Sequence, residues 1–111
     1  MNRKELAKKV SEWFENELMQ NSEIELRDLT NPDEILDKDF ERRGEIVNFS
    51  LELERKVSKE LEGGILLSLR YREDEENNLL KEVSELSGID TKWLPNAYVV
   101  VSEGTGMSVY R

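Results

Sequence analysis

Residues 45–57, EIVNFSLELERKV, alternate apolar and polar side chains along most of their length. A period of two residues is typical of a β-strand that buries one face and leaves the other in water. The pattern therefore predicts a long strand or hairpin arm through about residue 57. A second interpretation makes this element helical near Leu53, because Leu53, Val57 and Leu61 are spaced four residues apart and Gly63-Gly64 follows as a helix end.

The predicted strand contains Glu54-x-Lys56 near its end, and Pro32-Asp33 lies upstream of it. These residues are similar to the pattern of the PD-(D/E)xK nucleases. The resemblance implies a Mg²⁺ ion held by Asp33 and Glu54, with Lys56 orienting the attacking water. Asn31 and Pro32, however, are helix-start signals that assign Asp33 to the first turn of a helix. A small Mg²⁺-dependent nuclease is therefore a less favoured function than protein binding.

Helical and strand periodicities alternate along the rest of the chain, and glycines or capping residues mark several element ends. Gly44 marks the end of the second predicted helix, Asp74 the start of the third, and Gly104 and Gly106 the turn of a C-terminal hairpin. This order predicts an α+β fold, with helices packed on one antiparallel sheet of about five strands, in a single small domain over residues 1–111. The predicted helices cover residues 3–20, 30–44 and 73–88, and the predicted strands cover 23–29, 45–57, 64–72, 96–102 and 107–111.

The residue types that are missing narrow the chemistry of the chain. It contains no cysteine and no histidine, which excludes disulfides and thiol nucleophiles and removes the commonest general base and transition-metal ligand. Charged residues make up 37% of the sequence, as many as the apolar residues, so we expect a modest core without a large enclosed substrate cavity. The sequence therefore predicts a non-enzymatic protein that uses neither a metal nor another cofactor.

The formal net charge is −9, and the excess of acids lies in two blocks. Residues 21–45 carry nine acids and four bases, and residues 73–111 carry eight acids and three bases. A surface of this sign repels nucleic-acid phosphates and favours a basic protein partner. No apolar run is long enough to cross a membrane, and the charged N-terminus lacks the apolar region of a secretory signal, so we expect a cytoplasmic protein.

These observations predict an acidic protein-binding module that covers a basic surface of a larger protein, in the manner of an immunity protein, an antitoxin or a phage anti-host inhibitor. The alternative is a phage or virion assembly subunit of the tail or neck type, which forms rings by pairing edge strands such as the last one, with Tyr110. Trp93 is interpreted either as a cap on the core or as a partly exposed anchor. The predicted partner-binding residues are Asp37, Asp39, Glu41, Glu73, Asp74, Glu75, Glu76 and Trp93.

Overall fold

The computed structural model describes residues 2–64 and 66–111, which form helices and one small sheet. Its longest element is a helix of 30 residues, whose length of about 45 Å nearly equals the 49 Å long axis of the molecule. In chain order the helices are α1 (Arg3–Ser22), α2 (Ile24–Arg27), α3 (Pro32–Leu61) and α4 (Leu79–Ser87); a 3₁₀ turn covers Thr91–Trp93; and the strands are β1 (Leu67–Leu69), β2 (Tyr98–Ser102) and β3 (Gly106–Tyr110).

Helix α3 spans residues that were predicted to form two elements, a helix over residues 30–44 that ends at Gly44 and a strand over residues 45–57. The predicted start is confirmed, because the Asn31 side chain accepts a hydrogen bond from the Asp33 backbone N–H at 3.0 Å. The helix continues through Gly44, whose φ is not positive. The strand prediction was wrong because the alternation also contains a helical stripe, and burying that stripe outweighs the roughly 1 kcal/mol that a glycine costs inside a helix. The buried stripe is Ile46, Phe49, Leu53, Val57 and Leu61.

The predicted strand of residues 23–29 is also wrong, since this segment contains the single helical turn α2. Ile24 and Leu26 alternate with charged residues as a strand would, but Ile24 is 59% exposed and Leu26 is only partly covered. Its backbone forms a helical turn instead of pairing with the sheet, whose three strands all come from residues 67–110.

The sheet has three antiparallel strands in the order β1–β2–β3, where five were expected. The C-terminal hairpin is confirmed, with β2 central, β3 at an edge and Gly106 at φ +80° where β3 begins after the turn. Only Leu67–Leu69 of the strand predicted for residues 64–72 is paired, and Ile65 lies outside the described residues. Asn78, rather than Asp74, caps α4. The α+β class and a single compact domain are confirmed, with a smaller sheet than predicted.

The core lies between α1, α3, α4 and one face of the sheet. Helices α1 and α3 are antiparallel, since Ser22 at the end of α1 bonds to Arg42, and Phe14 in its middle packs on Phe49 with ring centroids 6.3 Å apart. The inward side chains of β2 and α4 join the same buried cluster. Only one side of α3 packs against the core, so its other sides form part of the protein surface.

Gly44→Ala should raise the free energy of unfolding by about 1 kcal/mol, because alanine is the best helix former and glycine one of the worst. A Cβ at Gly44 meets no heavy atom within 4 Å, so the new methyl group creates no clash. Thermal unfolding followed by circular dichroism should show a Tm higher by about 4–8 °C. Gly88→Ala is the matched control and should lower Tm, because Gly88 ends α4 at φ +77°. A lower Tm for Gly44→Ala would contradict a continuous α3.

Candidate functional site

The two acidic blocks of the sequence lie toward opposite ends of α3. Residues 37–41 belong to its N-terminal half, whereas Glu75 and Glu76 line a groove together with Glu60 near its C-terminus. Glu41 and Glu60 are 19 residues apart on this helix, which corresponds to about 28 Å at 1.5 Å per residue. The predicted partner-binding acids of the two blocks therefore form two separate surfaces, whereas Asp90 of the second block lies beside the first block.

The first block borders a cavity of about 230 Å³ between α2, α3 and the 3₁₀ turn, which we call the Glu45 pocket. It brings together Glu41 and Trp93, two predicted residues that are far apart in the sequence, with three acids that the sequence analysis did not single out. Acids outnumber bases by four to two among its lining residues. The lining residues are Glu25, Leu26, Lys38, Glu41, Arg42, Glu45, Asp90 and Trp93.

The carboxylate of Glu45 carries a charge that its surroundings disfavour. Burial raises its pKa, and the neighbouring carboxylates of Glu41, Glu25 and Asp90 raise it further. Within residues 2–64 and 66–111, no lysine or arginine lies within ion-pair distance of Glu45. Because the folded pKa exceeds the unfolded one, ionisation of Glu45 lowers stability as pH rises between the two values. A cation in the pocket would remove this cost.

Two other acids of the pocket are already paired. Lys92 Nζ lies 2.9 Å from Glu25 Oε1 and 3.3 Å from Asp90 Oδ2. Hydrogen bonds from Lys92 and then Trp93 lower the pKa of Glu25, and the two carboxylates raise the pKa of Lys92. The uncompensated negative charge of the pocket therefore lies on the α3 side, where Glu45 and Glu41 are one helical turn apart.

Asp39 is committed to ion pairs within α3. Its two carboxylate oxygens accept hydrogen bonds from Arg42 Nη2 at 2.7 Å and from Arg43 Nε at 2.9 Å. The bond from Arg43 is the main cause of the lowered pKa of Asp39. Arg42 is buried, and its Nη1 also donates to Ser22 Oγ at 2.8 Å and to the Met19 carbonyl at 3.2 Å. Asp39 thus orients the arginine that joins α1 to α3.

Trp93 caps the core rather than standing out as an anchor. It is 7% exposed and belongs to the buried cluster. Its Nε1 donates to Glu25 Oε1 at 3.0 Å, and its carbonyl accepts from Asn21 Nδ2 at 2.8 Å. Of the two interpretations of this residue, the burial supports the core cap, and Trp93 contributes to the surface only as part of the pocket wall.

The second acidic block belongs to a groove of about 930 Å³ beside β1, α4 and the end of α3. Glu73 and Asp74 are exposed in the turns that precede α4, and they do not line the groove. Glu75 pairs with Arg72 at 3.6 Å, and its carboxylate accepts from Asn78 Nδ2 at 3.1 Å. Five acids face three bases along this groove, which gives the same excess of two acids as in the smaller Glu45 pocket. The charged lining residues are Glu60, Glu75, Glu76, Glu82, Glu85, Arg70, Arg72 and Lys81.

The residues that resemble a nuclease motif do not converge. Glu54 and Lys56 lie on a helix, where residues two apart point to different sides. Asp33 is 21 residues before Glu54 on the same helix, about 32 Å away along its axis. Lys56 Nζ pairs with Glu82 at 2.7 Å. No group of three or more acids in the described part of the chain is arranged to hold a metal ion.

Sequence reasoning missed Glu25, Glu45 and Asp90. The pair of Glu41 and Glu45 has helical spacing, i and i+4, which becomes a signal once residues 45–57 are assigned to a helix. Nothing in the sequence indicates that Glu25 and Asp90 approach the same helix, because both come from short irregular segments that are placed only by the packing of the core.

The chain matches no protein-family model, and neither a curated protein nor a solved structure is significantly similar to it. None of the described helices is both long and apolar enough to cross a bilayer.

Proposed function

We propose that this protein is a non-enzymatic binding module of the inhibitor or antagonist type, which engages a basic surface of a larger protein through the Glu45 pocket. The observation that carries the proposal is the uncompensated carboxylate of Glu45, whose pKa is raised by burial and by Glu41, Glu25 and Asp90. A lysine or arginine side chain of the partner would occupy the pocket and neutralise this charge.

The size and the wall of the pocket suit a basic side chain. A volume of about 230 Å³ accommodates one long side chain but not a larger ligand such as a nucleotide. Trp93 and Leu26 supply an apolar wall for the methylene stem, and the carboxylates receive the cationic head. The net charge of −9 and the exposed acids Asp37 and Glu41 would steer a basic partner toward this end of α3.

The test is capture of the partner from a lysate of the native host, at low and at high salt, with wild type and two matched variants. Glu41→Gln/Glu45→Gln removes two charges from the pocket, and Glu73→Gln/Glu76→Gln removes two charges from the other acidic block. We expect wild type and the second variant to retain one near-stoichiometric protein that high salt releases. The pocket variant should bind that protein at least about tenfold more weakly at low salt, mainly through faster dissociation, because the lost ion pair is a buried one.

Equal binding by all three proteins, or the absence of a salt-sensitive partner, would contradict the proposal. A pH series gives a second readout, since binding should weaken as pH falls through the raised pKa of Glu45 and the carboxylate becomes neutral. The control variant should show the same pH dependence as wild type.

A further inference from the structure

Four apolar side chains form an exposed stripe along α3. Leu36, Phe40, Val47 and Leu51 are 67%, 82%, 47% and 59% exposed. At 100° per residue these positions fall within about 60° of one another around the helix, so they share one face over about 22 Å of its length. Four exposed large apolar side chains on one helix face, in a chain with 37% charged residues, are typical of an interaction surface.

The N-terminal third of α3 extends past the C-terminal end of α1, and Lys38 and Glu41 within it line the Glu45 pocket. Residues 32–41 include no buried residue, whereas the buried stripe of α3 begins at Arg42, which bonds to the C-terminal turn of α1. A helical segment of ten residues is marginal in water unless it packs against something. This projecting arm carries Leu36 and Phe40, the two most exposed members of the apolar stripe.

We propose that the stripe is the interface of a homodimer in which α3 packs antiparallel on α3 of a second copy. The intervals between the four residues are 4, 7 and 4, a pattern that reads the same in both directions about residues 43–44. A two-fold interface requires this self-complementarity. Leu36 then faces Leu51 of the second copy and Phe40 faces its Val47, so the projecting arm of each copy packs on the C-terminal half of the stripe of the other.

The residue next to the two-fold axis fits the antiparallel arrangement. Gly44 lies next to the two-fold axis with open space around it, so the two backbones can approach closely there. In the same register Asp33 is level with Glu54 of the second copy, so salt that screens these two acids should favour the dimer.

The dimer is independent of the proposed function. The α3 residues that line the Glu45 pocket, such as Glu41 and Glu45, lie about 110° to 170° around the helix from the centre of the stripe. Both pockets of a dimer therefore remain open. The two associations also respond to salt in opposite directions, because salt screens the repulsion between two chains of net charge −9 but weakens the attraction of a basic partner.

The first test is the mass of the full chain in solution, measured by sedimentation equilibrium. We expect wild type to approach twice its chain mass of 13.0 kDa with increasing concentration, and at lower concentration when salt is added. Phe40→Glu should remain at 13.0 kDa under the same conditions. Leu86→Glu is the matched control, because Leu86 is an exposed leucine on α4, away from the stripe, and its variant should still dimerise. Circular dichroism checks that all three proteins are folded.

A wild-type mass of 13.0 kDa up to about 1 mM protein would overturn the proposal. A dimer that persists in Phe40→Glu would also overturn it, and that result is expected if two copies pair through their β3 edges instead. Orientation is tested by disulfide trapping, since the natural chain has no cysteine. Oxidation of an equimolar mixture of Leu36→Cys and Leu51→Cys should yield a mixed disulfide dimer. Efficient trapping of Leu36→Cys alone would show parallel helices and overturn the antiparallel arrangement.

Discussion

Phe49→Ala should lower the free energy of unfolding by about 3–5 kcal/mol, as expected when a buried phenylalanine is truncated. Phe49 is fully buried, and its ring packs on Phe14 between α1 and α3. The effect combines lost apolar burial with the cavity left between two helices that pack along most of their lengths. Chemical denaturation followed by circular dichroism measures it directly.

Leu51→Ala is the control that separates the helix from the predicted strand. A strand over residues 45–57 places Leu51 on the same buried face as Phe49, so both truncations would cost several kcal/mol. In α3, Leu51 is 59% exposed, and its truncation should change the free energy of unfolding by about 0.5 kcal/mol or less when measured on dilute protein. Comparable losses for the two variants would contradict the helical assignment.

Trp93→Ala should destabilise the protein by about 3–5 kcal/mol, because it empties a buried site between the 3₁₀ turn, α1 and α2. It also removes the hydrogen bond from Trp93 Nε1 to the carboxylate of Glu25, which is also paired with Lys92. Trp93→Phe retains most of the apolar volume and should cost about 1–2 kcal/mol, chiefly the hydrogen bond to a charged group.

The two interpretations of Trp93 predict different outcomes in these measurements. A core cap predicts a large loss of stability for the alanine variant and a smaller one for phenylalanine. An exposed anchor predicts nearly unchanged stability with a loss of partner binding. A change of less than about 0.5 kcal/mol for Trp93→Ala would therefore contradict its place in the core.

The elements that could be predicted from the sequence are those whose structure depends on residues close together in the chain. The stripe of α1, the cap at Asn31 and the hairpin around Gly106 each depend on residues within one turn or one loop of each other. Their local signals and their final packing agree, so no competing structure exists for them. The start of α4 was misplaced because Asp74 and Asn78 are both good capping residues. In the folded protein Asn78 Oδ1 accepts from the Lys81 backbone N–H, and Asn78 Nδ2 is held by the Arg70 carbonyl.

Residues 45–57 show why local pattern was insufficient elsewhere. Val47, Phe49, Leu51 and Leu53 alternate as in a strand, while Phe49 and Leu53 also belong to a helical stripe. The two-residue period of a strand appears beside the helical period because Val47 and Leu51 are apolar although they lie on the exposed side of α3. The antiparallel contact with α1 selected the helix, since it buries the stripe from Ile46 to Leu61 continuously.

From the sequence alone follow the acidity of the chain, the absence of thiol and imidazole chemistry, and the α+β class, because these depend on composition and short-range pattern. The tertiary structure was required for the length of α3, the burial of Trp93 and the gathering of Glu25, Glu45 and Asp90 around one pocket. The physical reason is that each of them depends on which faces of distant segments pack together, and that is a property of the whole core rather than of any window of the chain.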